Sequence, residues 1–120
     1  MARFRSLSST VRVGFIVFLS FAFAGCSSDD TVEDDRLDRI RQYQSMGRVE
    51  AAIPLLRELI SEGNRDGEVL YRYGRGLSLI GQPGRGIWAL EEALHHEEWF
   101  VNASHQIALD AFRGGNIEVA

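Results

Sequence analysis

Lysine is absent from this 120-residue chain, so all 13 of its basic residues are arginines. The absence excludes a Walker-type phosphate loop, which needs a lysine on the β- and γ-phosphates. It otherwise reads as coding bias and not as a site. Cysteine occurs once, at Cys26, which excludes an intramolecular disulfide. Long apolar runs are also missing. The longest, "VGFIVFLSFAFA" from Val13 to Ala24, has twelve residues. As a helix it spans about 18 Å, against about 30 Å for a bilayer core. Positive charge is scarce beyond the start. Three of the 13 arginines precede Cys26, so residues 26–120 carry ten arginines against all 17 acids, a formal charge of −7. That balance argues against nucleic acid as a partner, because a nucleic-acid site needs a basic footprint.

Residues 1–25 contain Arg3, Arg5 and Arg12 and no acid, then the short apolar run, then the small residues Ala24 and Gly25. A positive start, a short apolar middle and a small-residue exit describe a secretory signal peptide. The exit "FAFAGC" resembles the lipobox of bacterial lipoproteins, with Phe23 where that pattern usually has leucine. The resemblance implies that Cys26 is acylated, that residues 1–25 are removed and that lipid holds the new N-terminus to a membrane. Ser27, not aspartate, follows the cysteine. By the sorting rule of such lipoproteins this implies the outer membrane, facing the periplasm. The stretch "SSDDTVEDD", residues 27–35, is polar and acidic, and residues 26–34 are expected to form a flexible tether.

From residue 35 onward the apolar residues recur with helical spacing. Leu37, Ile40, Tyr43 and Met46 make one stripe, and Ile53, Leu56, Leu59 and Ile60 make a second, widened by Val49 and Leu55. Pro54 falls inside the second stripe, so that helix either starts later than Val49 or is kinked in its first turns. Glycine-bearing breaks separate the stripes, and these breaks repeat. Gly47, Gly81 and Gly115 are evenly spaced, and the same interval separates Tyr43, Leu77 and Ala111, and also Ala52, Gly86 and Ala120.

This period, about 34 residues and built from two amphipathic helices, resembles the tetratricopeptide repeat family. Residues 67–100 carry the likeness best, through Leu70, Tyr73, Gly74 and Leu77 in a first helix and Gly86, Leu90 and Ala93 in a second. Glu98 stands where that family usually has proline. Residues 33–66 match less well, with Arg36 and Arg39 at apolar positions, and residues 101–120 are an incomplete third unit. The resemblance implies an all-α fold, a short solenoid of helical hairpins with about two and a half repeats. It places small residues at Gly74, Gly86 and Ala93, where paired helices cross. Gly81, just past a helix end, is expected to cap it in the left-handed conformation.

Other chemistries fit less well. Gly84, Gly86 and Ala89 match the G-x-G-x-x-A of a dinucleotide turn, but the preceding "LSLI" belongs to a helical pattern and not to a strand. His95 and His96 point about 100° apart on a helix, and no H-E-x-x-H is present. His105 and Asp110 lack a nucleophile. Gly76 has no evident purpose and costs a helix about 1 kcal/mol. Trp88 and Trp99 are expected in the core or in the seam between repeats.

These residues point to no enzyme, no cofactor and no metal, but to a lipid-anchored adaptor of the bacterial envelope that binds a protein or peptide. The resemblance implies a concave face of first helices bearing Leu37, Arg41, Tyr71, Arg75, Ser78, His105 and Leu109. Arg41 and Arg75, one period apart, could form a cationic ladder. The family's carboxylate clamp of asparagine and lysine has no counterpart here. Alternatives are the N-terminal anchored region of a larger envelope protein or enzyme and, more remotely, a small nucleotide- or metal-binding enzyme. Phe112, Ile117 and Val119 would leave an apolar face, to be covered by further repeats or by a homodimer.

Overall fold

A computed structural model describes residues 29–115. The signal peptide, Cys26, Ser27, Ile117, Val119 and Ala120 lie outside the described residues. The chain divides into two units, Met1–Asp35 and Arg36–Ala120, and the packing described below is that of the second. The described residues form five α-helices and no strand: α1 Asp29–Ser45, α2 Val49–Ser61, α3 Gly67–Leu79, α4 Pro83–Ala93 and α5 Phe100–Arg113, with one 3₁₀ turn, Glu97–Trp99, before α5. None of these helices is long and apolar enough to cross a membrane.

The helix ends repeat as the sequence does. Gly47, Gly81 and Gly115 have φ of 73°, 80° and 68°, a region that costs any residue with a Cβ. The turn lets the next amide reach back five residues: Arg48 N–H donates to Tyr43 O and Gln82 N–H to Leu77 O, both at 2.8 Å. These 6→1 bonds satisfy carbonyls that the helix leaves open. The residue before each glycine, at positions 46, 80 and 114, donates to the carbonyl four back, at 3.1, 3.2 and 2.9 Å. The first two turns share both bonds, and the third shares the second of them and the positive φ.

α1 starts at Asp29, so the acidic stretch expected to be a flexible tether is helical from that residue. Acids in a first turn complement the helix dipole, and the stretch contains no glycine or proline to stop it. α2 begins at Val49 with Pro54 inside it, which removes the reading of a later start. Met46, counted above in the first stripe, is 60% exposed. It has already entered the glycine turn, where helical periodicity no longer applies.

Neighbouring helices run antiparallel in pairs. Arg36 near the start of the second unit meets Glu62 after α2, and Tyr73 of α3 meets Trp88 of α4 with ring centroids 5.9 Å apart. The core sits where the apolar stripes converge: Ile40 from α1, Leu56 and Leu59 from α2, Val69, Leu70 and Leu77 from α3, and Ala89 and Ala93 from α4. α3 and α4 come into backbone contact at a pair of glycines. A Cβ on Gly86 would lie 3.0 Å from Gly74 Cα and 3.0 Å from Gly74 O. Trp88 does not enter the core. It is 40% exposed, with the Arg65 guanidinium 5.6 Å from its ring.

Gly76 is buried in mid-helix, yet it has room. A Cβ there would meet Val49 Cγ1 at 3.5 Å, Ile53 Cγ1 at 3.6 Å and Gln44 Nε2 at 3.8 Å, all ordinary contact distances. Gly76→Ala should therefore raise stability by about 0.5–1 kcal/mol, the helix-propensity gain. A urea midpoint below the wild-type value would count against this packing.

Candidate functional site

The face expected to bind is built on α1, α3 and α5, and its first junction is polar. Arg41 of α1 grips Glu68 of α3 with two bonds, Nε donating to Oε1 at 2.8 Å and Nη2 to Oε2 at 2.7 Å. Its Nη1 donates to Asp38 Oδ1 at 2.7 Å. Arg72, one turn further along α3, donates from Nε to Glu68 Oε1 at 2.8 Å and from Nη1 to Gln44 Oε1 at 2.7 Å. Gln44 Nε2 returns a bond to the Arg72 carbonyl at 3.3 Å. The network joins two helices whose bonded residues stand 27 or 28 positions apart in sequence.

Glu68 is the centre of that network. The hydrogen bonds from Arg41, then the one from Arg72, lower its pKa from the usual 4.5 to about 2, against an upward push from desolvation. The same bonds raise the Arg41 pKa. A depressed carboxylate pKa contributes stability that is present above the unfolded value, near 4.5, and is lost as pH falls toward about 2. The difference in urea midpoint between the wild type and Glu68→Gln should therefore be largest near neutral pH and should shrink below about pH 4. A gap independent of pH would mean that Glu68 acts through packing and not through charge.

The second junction, between α3 and α5, has different chemistry in the same place. Ser78 Oγ donates to Asp110 Oδ2 at 2.6 Å, and Gln106 Nε2 donates to Asp110 Oδ1 at 3.0 Å. Gln44 and Ser78 are one period apart, and so are Gly76 and Asp110. Gln44 Nε2 lies 3.8 Å from a Cβ placed on Gly76, just as Ser78 lies against Asp110. The bonded pairs across the second junction stand 32 positions apart, against 27 and 28 across the first.

The seven residues expected on the binding face are not equally available. Arg41, Arg75 and His105 are exposed, and Leu37, Tyr71 and Leu109 are half-buried. Ser78 is buried and bonded to Asp110. Tyr71 stacks on Trp99 at 5.2 Å, which anchors the 3₁₀ turn to α3. A ladder of two free arginines does not form, because Glu68 and Asp38 take Arg41. Spacing within one helix could not reveal this, since the partner that consumes Arg41 stands 27 residues away. A signal was present nonetheless: Glu68 and Arg72 at i, i+4 on the first turns of α3 mark an acid-base pair that a preceding helix can meet.

Gly74, Gly86 and Ala93 are buried, as their expected place at a helix crossing requires, and Gly81 caps α3. Gly67 carries no pattern signal, yet a Cβ there would lie 2.6 Å from Trp99 Cδ1 and 2.7 Å from His96 Cβ. It seats the turn after α4 against the start of α3.

Two clefts occur one period apart, each between the start of the second helix of a pair and the end of the following first helix. One, of about 470 Å³, is lined by Arg48, Val49, Glu50, Leu79 and Ile80. The other, of about 310 Å³, is lined by Pro83, Ile87, Ile107, Asp110 and Ala111. Gly84 and Gly86 lie in the first turns of α4, and the residues before that turn are helix α3, so no strand–turn–helix unit surrounds the G-x-G-x-x-A match. Among the described residues no group of three His, Cys, Asp or Glu could hold a metal ion. No protein-family model, curated protein or solved structure matches the chain.

Proposed function

We propose that this chain is a lipid-anchored, tetratricopeptide-like adaptor of the bacterial envelope, without catalytic activity, that binds a protein or peptide on the face of α1, α3 and α5. The observation that carries the reading is the return of a glycine helix end at the sequence period, at Gly47, Gly81 and Gly115, with one further turn of this kind at Gly63. It is supported by polar bonds that tie α3 to α1 and α5 to α3. Helices stacked in this way form an extended surface with no built-in chemistry, which suits recognition. Fold alone does not assign function. The assignment therefore leans on the segment before Cys26, whose composition is that of a secretory signal and whose exit resembles a lipobox.

Each half has its own test. For the anchor, Cys26→Ala expressed in a Gram-negative host should lose incorporation of labelled palmitate and leave the membrane fraction. A variant still labelled would end the lipoprotein reading. For the binding face, an array of random peptides should retain residues 26–120 of the wild type, and Arg72→Glu should reduce the signal. A protein that retains no peptide would remove the adaptor reading.

A further inference from the structure

We propose that Arg75 is a docking point for a side-chain carboxylate of an acidic peptide, a more specific claim that rests on the reading of the α1–α3–α5 face as a binding surface. The chain supplies its own template for the contact. One period earlier Arg41 holds the Glu68 carboxylate with two bonds of 2.7 and 2.8 Å. Arg75 is the equivalent of Arg41, and the equivalent of Glu68 is Asn102. The offset of 27 residues that joins Arg41 to Glu68 would bring Arg75 to face Asn102, and the Ser78–Asp110 bond shows that α5 packs on α3. At that offset the second arginine meets a neutral amide in place of a carboxylate.

No other acid takes its place. The positions three and four away along α3 are Tyr71, Arg72, Ser78 and Leu79, and the nearest acid of α5 in this register, Asp110, is already bonded to Ser78 and Gln106. Arg75 is exposed and makes no ion pair among the described residues. A guanidinium presents a planar fork that matches a carboxylate in two-bond geometry. Leu79 lies one turn further along α3 and is 50% exposed, so the partner's acid should neighbour an apolar residue. The net negative charge of the chain opposes this only weakly. At physiological salt, charges more than about 8 Å away are largely screened, and the local pair decides.

The experiment presents residues 26–120 to a cellulose array of random hexapeptides and compares the wild type with Arg75→Gln and Asn102→Glu. Both substitutions are at exposed positions, and far-UV spectra check that the helices persist. Wild type should retain peptides enriched in Glu and Asp next to Leu, Ile or Phe. Arg75→Gln removes the cation, whereas Asn102→Glu supplies the missing carboxylate from within. Each should lower the signal on acidic peptides about fivefold, the effect of one partly exposed ion pair, and leave neutral peptides unchanged. Retained peptides without acidic enrichment, or an enrichment that survives both substitutions, would overturn this inference and leave the binding-face reading standing. Retention of no peptide would overturn both.

Discussion

Leu90→Ala is expected to cost about 3–4 kcal/mol, within the range for a buried leucine that leaves a cavity. Leu90 is fully buried and fills the space in front of Gly74. A Cβ on Gly74 would lie 2.5 Å from Leu90 Cγ and 2.8 Å from Cδ2, so the glycine exists to seat that leucine. Gly74→Ala alone should therefore cost about 1–3 kcal/mol through overpacking. Together the two changes should cost less than their sum, by about 1 kcal/mol or more, because the alanine methyl enters the volume that Leu90 vacates. Urea unfolding of the four proteins measures the coupling. Additive costs would show that Gly74 and Leu90 do not share that space.

Gly86→Ala is the second large effect, and it should resist the same rescue. Its Cβ would meet Gly74 Cα and Gly74 O at 3.0 Å and Leu77 Cβ at 3.2 Å. Two of these atoms are backbone and the third is attached to it, so no side-chain rotation relieves the contact. The helices must move apart, with an expected loss of about 2–3 kcal/mol, and Leu90→Ala in the same chain should not reduce it. Gly76→Ala provides the internal contrast, since all its contacts are at 3.5 Å or more. The three glycines of the α3–α4 region should thus give one gain and two losses. A Gly86→Ala protein as stable as the wild type would contradict the close helix crossing.

Much of this architecture is legible in the sequence because it rests on local chemistry. A glycine that must adopt positive φ, an apolar residue every third or fourth position and a proline at the start of α4 each act within a few residues. Repetition then multiplies a weak local signal, as Gly47, Gly81 and Gly115 show. The acidic segment misleads for a related reason. Its composition suggests a tether, yet residues from Asp29 lack a helix breaker and lead directly into the stripe that begins at Leu37.

The candidate face is less legible, because what a surface residue offers depends on which neighbour reaches it first. Arg41 and Arg75 are indistinguishable by spacing. One is taken by Glu68 and the other makes no ion pair among the described residues, a difference that only the packing of α1 on α3 reveals. Ser78 looks like a surface residue within α3 alone, but the arrival of Asp110 from α5 buries it. Trp88 looks like a core residue, but its place on α4 lets it cover Tyr73 and receive Arg65 from outside.

The helical class, the constant period, the glycine turns and the small residues at the crossing of α3 and α4 follow from residue order alone, because steric and propensity terms act over short stretches of chain. Which polar groups meet across 26 to 32 residues of sequence is fixed only by the assembled helices. Pairing of that kind is governed by Coulomb and hydrogen-bond terms, which change steeply over an ångström. Distances on that scale are set when the helices pack, not when they form.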